Sequence, residues 1–167
     1  MLPFLKKNVP ADTVGLVLLN SVDWSRPATA ESLKASLDLL GESADDKHFL
    51  PEFILLTAFT VDFAVTTALG EGPTTRAVLG AFYKQFEKMA KEDSLWAALF
   101  EALKSHGLTY SMAVRTGHAN GLPYAVGRAF SEICGRPLSA RVMLAGSVHF
   151  TSTFQGVSKV LESCKIV

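Results

Sequence analysis

Apolar and polar residues along this chain recur mostly at helical spacing, and proline and glycine mark where each run begins and ends. Pro27 opens a stretch carried by Leu33, Leu37 and Leu40 and closed by Gly41, the proline-first, glycine-last order of a helix. An acidic, polar loop follows at 42–47, and a long run then leads from Pro51 to Leu69 and Gly70. Pro73 opens a third helix to about Glu92, with Val78, Phe82, Phe86 and Met89 on one face. Ser94 is placed to cap a fourth, whose stripe is Leu95, Trp96, Leu99, Phe100 and Leu103 and whose stop is Gly107. Beyond it, 108–114 fits a short helix and 117–121 is turn chemistry. Pro123 restarts a helix to about Cys134, and 138–163 reads as one long terminal helix. Residues 13–22 fit a buried strand or a buried helix equally well, and with no other strand to pair with they are predicted helical. The expected fold is all-α, a single domain of seven or eight helices.

The run at 51–69 sets the architecture. On a helical wheel Ile54, Ala58, Val61, Val65 and Leu69 cover one side and Leu55, Phe59 and Phe63 another, leaving a narrow strip of Thr57, Thr60 and Thr67. A helix apolar almost all round is enclosed by other protein, by a partner copy or by lipid. Lipid is disfavoured, because Glu52 and Asp62 leave only nine charge-free residues between them, against about 18 for a span. A central Asp would also cost about 2.5 to 3.5 kcal/mol to insert. The expectation is a buried central helix with the terminal helix packed closely against it, and no membrane span.

Composition adds an apolar excess. Of 167 residues 49% are hydrophobic and only 19% charged, against roughly 25% charged in ordinary soluble domains. An oligomer interface or a greasy ligand pocket would absorb that excess, so a homodimer and an apolar small molecule are the expected partners. The 16 basic and 16 acidic residues cancel, which excludes the broad positive field on which nucleic-acid binding depends. The N-terminus has its lysines after a short apolar run and no small-residue cleavage site, so it does not read as a signal peptide. Cys134 and Cys164 show no metal or redox spacing and read as small buried hydrophobes in a reducing compartment. A cytoplasmic location is expected. Either thiol could serve as a nucleophile with a distant histidine, but nothing local supports that.

Candidate chemistry is sparse. GxGxxG, a Walker loop, GxSxG, HExxH and the ExxH of di-iron bundles are all absent from the sequence. Asp62 lies among apolar positions of the central helix, so its carboxylate is expected to be desolvated, as a general base, as an anchor for a cationic group, or as half of a buried ion pair. Phe59 is one turn away on the same helix. His149, on the apolar side of the terminal helix, is a core histidine or else an axial haem ligand or base. His106 reads as a charge at a helix C-terminus or as an alternative ligand. His118 sits in a Gly-flanked turn, and His48 beside the acidic loop.

Charge is uneven: residues 106–167 carry six basic groups against Glu132 and Glu162. Arg115 and Arg128 are therefore candidates to hold an anionic group, with ordinary surface charge as the plain alternative. Gly146 and Gly156, inside the terminal helix, imply close approach of another helix or a flat ligand, because Gly there costs about 1 kcal/mol relative to Ala. The sequence ranks a helical binding protein first, one that uses its apolar surface for homodimerisation or for taking up an apolar small molecule. A haem-type cofactor protein with His149 or His106 as ligand, and an enzyme with an Asp62/Arg pocket, are the alternatives.

Overall fold

The computed structural model describes residues 7–20, 27–41 and 49–167. His48 and the 42–47 loop lie outside the described residues. Within them the chain forms seven helices and one two-stranded sheet: β1 (Lys7–Val9), α1 (Ala11–Leu19), α2 (Pro27–Leu40), α3 (Phe49–Leu69), α4 (Pro73–Glu92), α5 (Ser94–Thr116), α6 (Leu122–Ile133), α7 (Ala140–Ser163) and β2 (Cys164–Ile166). The all-α class holds, and the stretch from 13 is helical as far as Leu19, while 21 and 22 lie outside the described residues. The punctuation works as the residue chemistry dictates: Pro73 sits in the first turn of α4, and α2, α3, α5 and α6 are followed by Gly41, Gly70, Gly117 and Gly135, all at positive φ.

Four boundaries differ from expectation, the first being α3, which begins at Phe49, two residues ahead of Pro51. Asp93 rather than Ser94 caps α5, its carboxylate accepting from the backbone N–H of Leu95 at 2.7 Å and of Trp96 at 3.2 Å. Gly107 does not stop α5, which runs on to Thr116. The apolar spacing continues across it from Leu99 and Leu103 to Tyr110 and Val114, and burial of that face outweighs the helix cost of one glycine. The terminal helix begins at Ala140, where the Ser139 hydroxyl accepts from the Val142 N–H, leaving Leu138 exposed outside it.

The strands were not legible in the sequence. β1 and β2 pair in parallel, Val9 opposite Ile166, and the Val167 N–H donates to the Val9 carbonyl at 3.0 Å. Three residues at one end of the described chain and three at the other carry no periodicity, so only the folded helices bring them together.

α3 is the buried centre. Twelve of its residues are buried, and the ten apolar ones divide between two cores. Ile54, Leu55, Ala58, Val61, Ala64 and Val65 pack with α1, α4 and the end of α7. Phe49, Phe53, Leu56 and Phe59 pack with α2, α6 and the first half of α7. By length and apolar composition alone α3 would cross a bilayer, but 67% of its most apolar window is covered by the rest of the protein. The expected polar strip is corrected in part: Thr67 is exposed, whereas Thr57 and Thr60 are buried, each donating its hydroxyl to the carbonyl four residues back, Phe53 at 2.8 Å and Leu56 at 2.7 Å. A hydroxyl satisfied within its own helix is cheap to bury.

Glycine sets how closely the helices approach. A Cβ on Gly127 of α6 would collide with the Met143 carbonyl and Ser147 of α7, and one on Gly146 of α7 would meet the Phe130 ring of α6 at 2.8 Å. Gly146 thus has the packing reason expected of it, and its neighbour is a helix rather than a flat ligand. Gly156 does not: it is exposed and nothing lies within 4 Å of its Cβ direction. Gly127→Ala is expected to lower unfolding stability by about 1 to 2 kcal/mol, overpacking outweighing the propensity gain. Gly156→Ala is expected to raise it by up to about 1 kcal/mol. Urea titration of both variants checks the pair, and a Gly127→Ala protein as stable as the parent would refute the close α6–α7 packing.

Candidate functional site

A cleft of about 900 Å³ opens between α3, α4 and α5. From α3 it takes Phe59, Asp62, Phe63 and Thr66, and from α4 Tyr83. From α5 it takes a stripe through Phe100, Leu103, Gly107, Ser111 and Val114, with Glu101, Lys104 and Arg115 also lining it. That stripe is a single face at helical spacing, and it exists only because α5 continues through Gly107. The cleft is hollow there for a local reason: Gly107 and Ser111 present almost no side chain, and the Gly107 Cβ direction meets nothing within 4 Å.

Asp62 supplies the charge nearest the interior. It is half-buried rather than enclosed, and no cation lies within ion-pair distance among the described residues. Its partners are neutral: the Tyr83 hydroxyl donates to Oδ2 at 2.6 Å, and Thr66 approaches Oδ1 at 3.5 Å. Burial and the adjacent carboxylate push the Tyr83 hydroxyl well above its ordinary pKa, so it remains a donor to Asp62 throughout the physiological range. The rings continue into the core, Phe59 stacking on Phe63 with centroids 6.0 Å apart and tilting against Tyr110 at 5.2 Å. Glu101, Lys104 and Arg115 are exposed, at the rim.

Of the expected site residues, the fold brings Asp62, Phe59 and Arg115 to this cleft and leaves the others elsewhere. Arg128 lies on the surface of α6 and bonds Glu132 one turn on, at 3.1 Å, with both side chains about half exposed; such a pair contributes little. His118 is exposed in its turn, its Nδ1 accepting from the Asn120 N–H, as expected. His106 stands inside α5 rather than at a helix end, and its Nδ1 lies 2.9 Å from Oε2 of Glu52 in the first turn of α3, at a poor angle for a hydrogen bond. One turn on, Tyr110 is fully buried, its hydroxyl without a hydrogen-bond partner among the described residues and its pKa raised by burial and by the Glu52 charge. Cys134, just past the end of α6, and Cys164, in β2, form no disulfide and are half-buried rather than buried. Among the described residues no three His, Cys, Asp or Glu side chains converge so as to hold a metal ion.

His149 is a core residue bonded on both ring nitrogens. Nε2 lies 2.7 Å from the Thr57 hydroxyl and Nδ1 3.2 Å from that of Ser36. Thr57 spends its proton on the Phe53 carbonyl, so its oxygen accepts and Nε2 carries the hydrogen; Nδ1 of the neutral ring then accepts from Ser36. Iron at either nitrogen would have to displace one of these hydroxyls. The ring cross-links α2, α3 and α7 and packs on Phe53 at 4.8 Å.

Sequence reasoning missed Tyr83, Phe63, Phe100 and the small residues of α5. A continuous α5 wheel would have revealed the last two groups, but nothing in the sequence links Tyr83 to a carboxylate 21 positions earlier. Comparison with protein-family models, with curated proteins and with solved structures finds no match to this chain.

Desolvation holds the His149 pKa down at about 4, below the ordinary 6.5. As pH falls below 6.5 the unfolded chain takes up a proton that the native ring refuses until about pH 4, so stability drops across that window at about 1.4 kcal/mol per unit, about 3 kcal/mol in all. Relative to His149→Gln, the parent should lose that amount between pH 7.5 and 4 in urea titrations. Parallel pH profiles for the two proteins would show that the ring is not buried neutral.

Proposed function

We propose that this protein is a helical binding module that takes up an apolar small molecule in the cleft between α3, α4 and α5. The observation that carries the proposal is the cleft itself, about 900 Å³ walled by Phe59, Phe63, Phe100, Leu103 and Val114. Predominantly apolar, concave surface with a few placed polar groups is the usual form of a small-molecule site. It also gives the apolar excess of the composition a use that the two cores do not exhaust.

A neutral environment-sensitive dye, N-phenyl-1-naphthylamine, should bind saturably near one per chain. Gly107→Trp projects a large side chain from an α5 position with open space beside it, and should weaken dye binding by about tenfold or more while circular dichroism and thermal unfolding stay close to the parent's. Dye uptake that is unsaturable, or indifferent to Gly107→Trp in a folded protein, would place binding elsewhere and remove the proposal.

A second use of apolar surface is favoured by Leu108 and Met112, one turn apart on α5 and 63% and 58% exposed. Side chains so placed suit a homodimer contact. Light scattering across a hundredfold concentration range should then give a dimer that Leu108→Lys with Met112→Lys converts to monomer. A parent protein that stays monomeric throughout would eliminate the dimer while leaving the cleft untouched.

A further inference from the structure

The charges around the cleft are arranged by depth. The basic groups, Lys104 and Arg115, are exposed and share the rim with Glu101, so water and salt weaken what they offer a ligand. Asp62 is half-buried on α3, beside Phe59 and Phe63, and among the described residues only neutral donors reach its oxygens. A carboxylate has room for about four hydrogen bonds, and Tyr83 and Thr66 use two of them. Tyr83 cannot become the missing cation; as a permanent donor it anchors one side of the carboxylate and leaves its charge uncompensated. Phe59 and Phe63 flank Asp62 along the helix, with Phe100 across the cleft, and ring faces attract cations and repel anions.

Resting on the small-molecule reading above, we propose that the ligand of this cleft is an amphiphilic amine: a protonated ammonium seated at Asp62 and an alkyl or aryl tail lying along the phenylalanines. An ammonium supplies the hydrogen-bond donors and the positive charge that the Asp62 oxygens lack. A neutral alcohol satisfies a hydrogen bond but not the charge, and a carboxylate-headed amphiphile would bring a second negative charge to the same place.

Three ten-carbon probes with different head groups separate these cases: decylammonium, decanol and decanoate, each titrated below its micelle concentration at pH 7 by displacement of N-phenyl-1-naphthylamine. Decylammonium should bind at least about tenfold more tightly than decanol, with decanoate weakest, and Gly107→Trp should weaken all three. In Asp62→Asn, an isosteric change that keeps a partner for Tyr83, the ratio of decylammonium to decanol affinity should collapse to within about twofold. The parent's ranking tests the proposal even if that variant does not fold. Decanol or decanoate binding as tightly as decylammonium, or a preference that survives in folded Asp62→Asn, would overturn the ammonium assignment and leave uptake standing. If the dye and all three probes fail to bind, the small-molecule reading falls, and the amine with it.

Discussion

Enclosing α3 is the constraint from which the rest of the structure follows. Its backbone polar groups are satisfied within the helix, and its side chains are apolar around nearly the whole circumference for most of its length. Such a rod cannot be content with one partner. α7 and α5 lie closest along it, α4 and α6 add to the wall, α1 and α2 pack on α4 and α7 in turn, and the result is two cores separated by the helix they share. The close α6–α7 approach that Gly127 and Gly146 allow forms part of the wall. Another such approach is Gly15 of α1, where a Cβ would run into the Val78 carbonyl of α4.

Polar atoms inside this enclosure are satisfied locally or in a specific pair. Thr57 and Thr60 return their protons to α3, which leaves the Thr57 oxygen free to accept from His149 of α7. The same imidazole receives Ser36 of α2, so one buried ring fixes three helices in register at the price of staying neutral. Arg141, at the start of α7, lies against Gly41 at the C-terminal end of α2, where the helix dipole favours a cation. Part of the basic excess in the last third of the chain is therefore structural, as is the exposed Arg128–Glu132 pair.

The cleft lies where the enclosure is incomplete. Past Val61 the α3 face toward α4 and α5 carries Asp62, Phe63 and Thr66, and opposite them α5 presents Gly107 and Ser111 instead of side chains long enough to fill the gap. The half-burial of Asp62 and its use of Tyr83 are two aspects of that geometry. The carboxylate is kept from full desolvation because the wall beside it is open, and it is kept oriented because Tyr83 donates across from α4.

Sequence alone determined the helices and the central rod, because both depend on interactions within a few residues: proline and glycine at the ends, and apolar residues around the full turn of α3. It also singled out Asp62, since a charge in an apolar stripe is visible locally, with Phe59 one turn away, and Arg115 through the basic excess of the last third; His149, His106 and Arg128, singled out beside them, lie outside the cleft. Only the tertiary structure decided that α5 passes through Gly107, that Thr57 and Thr60 face inward, that Lys7–Val9 pairs with Cys164–Ile166, and that His149 is bonded on both sides rather than open to a ligand. Each of those outcomes turns on atoms brought together from distant parts of the chain, or on burial strong enough to override a local preference. Apart from the apolar spacing that carries on across Gly107, no spacing along a single helix records them.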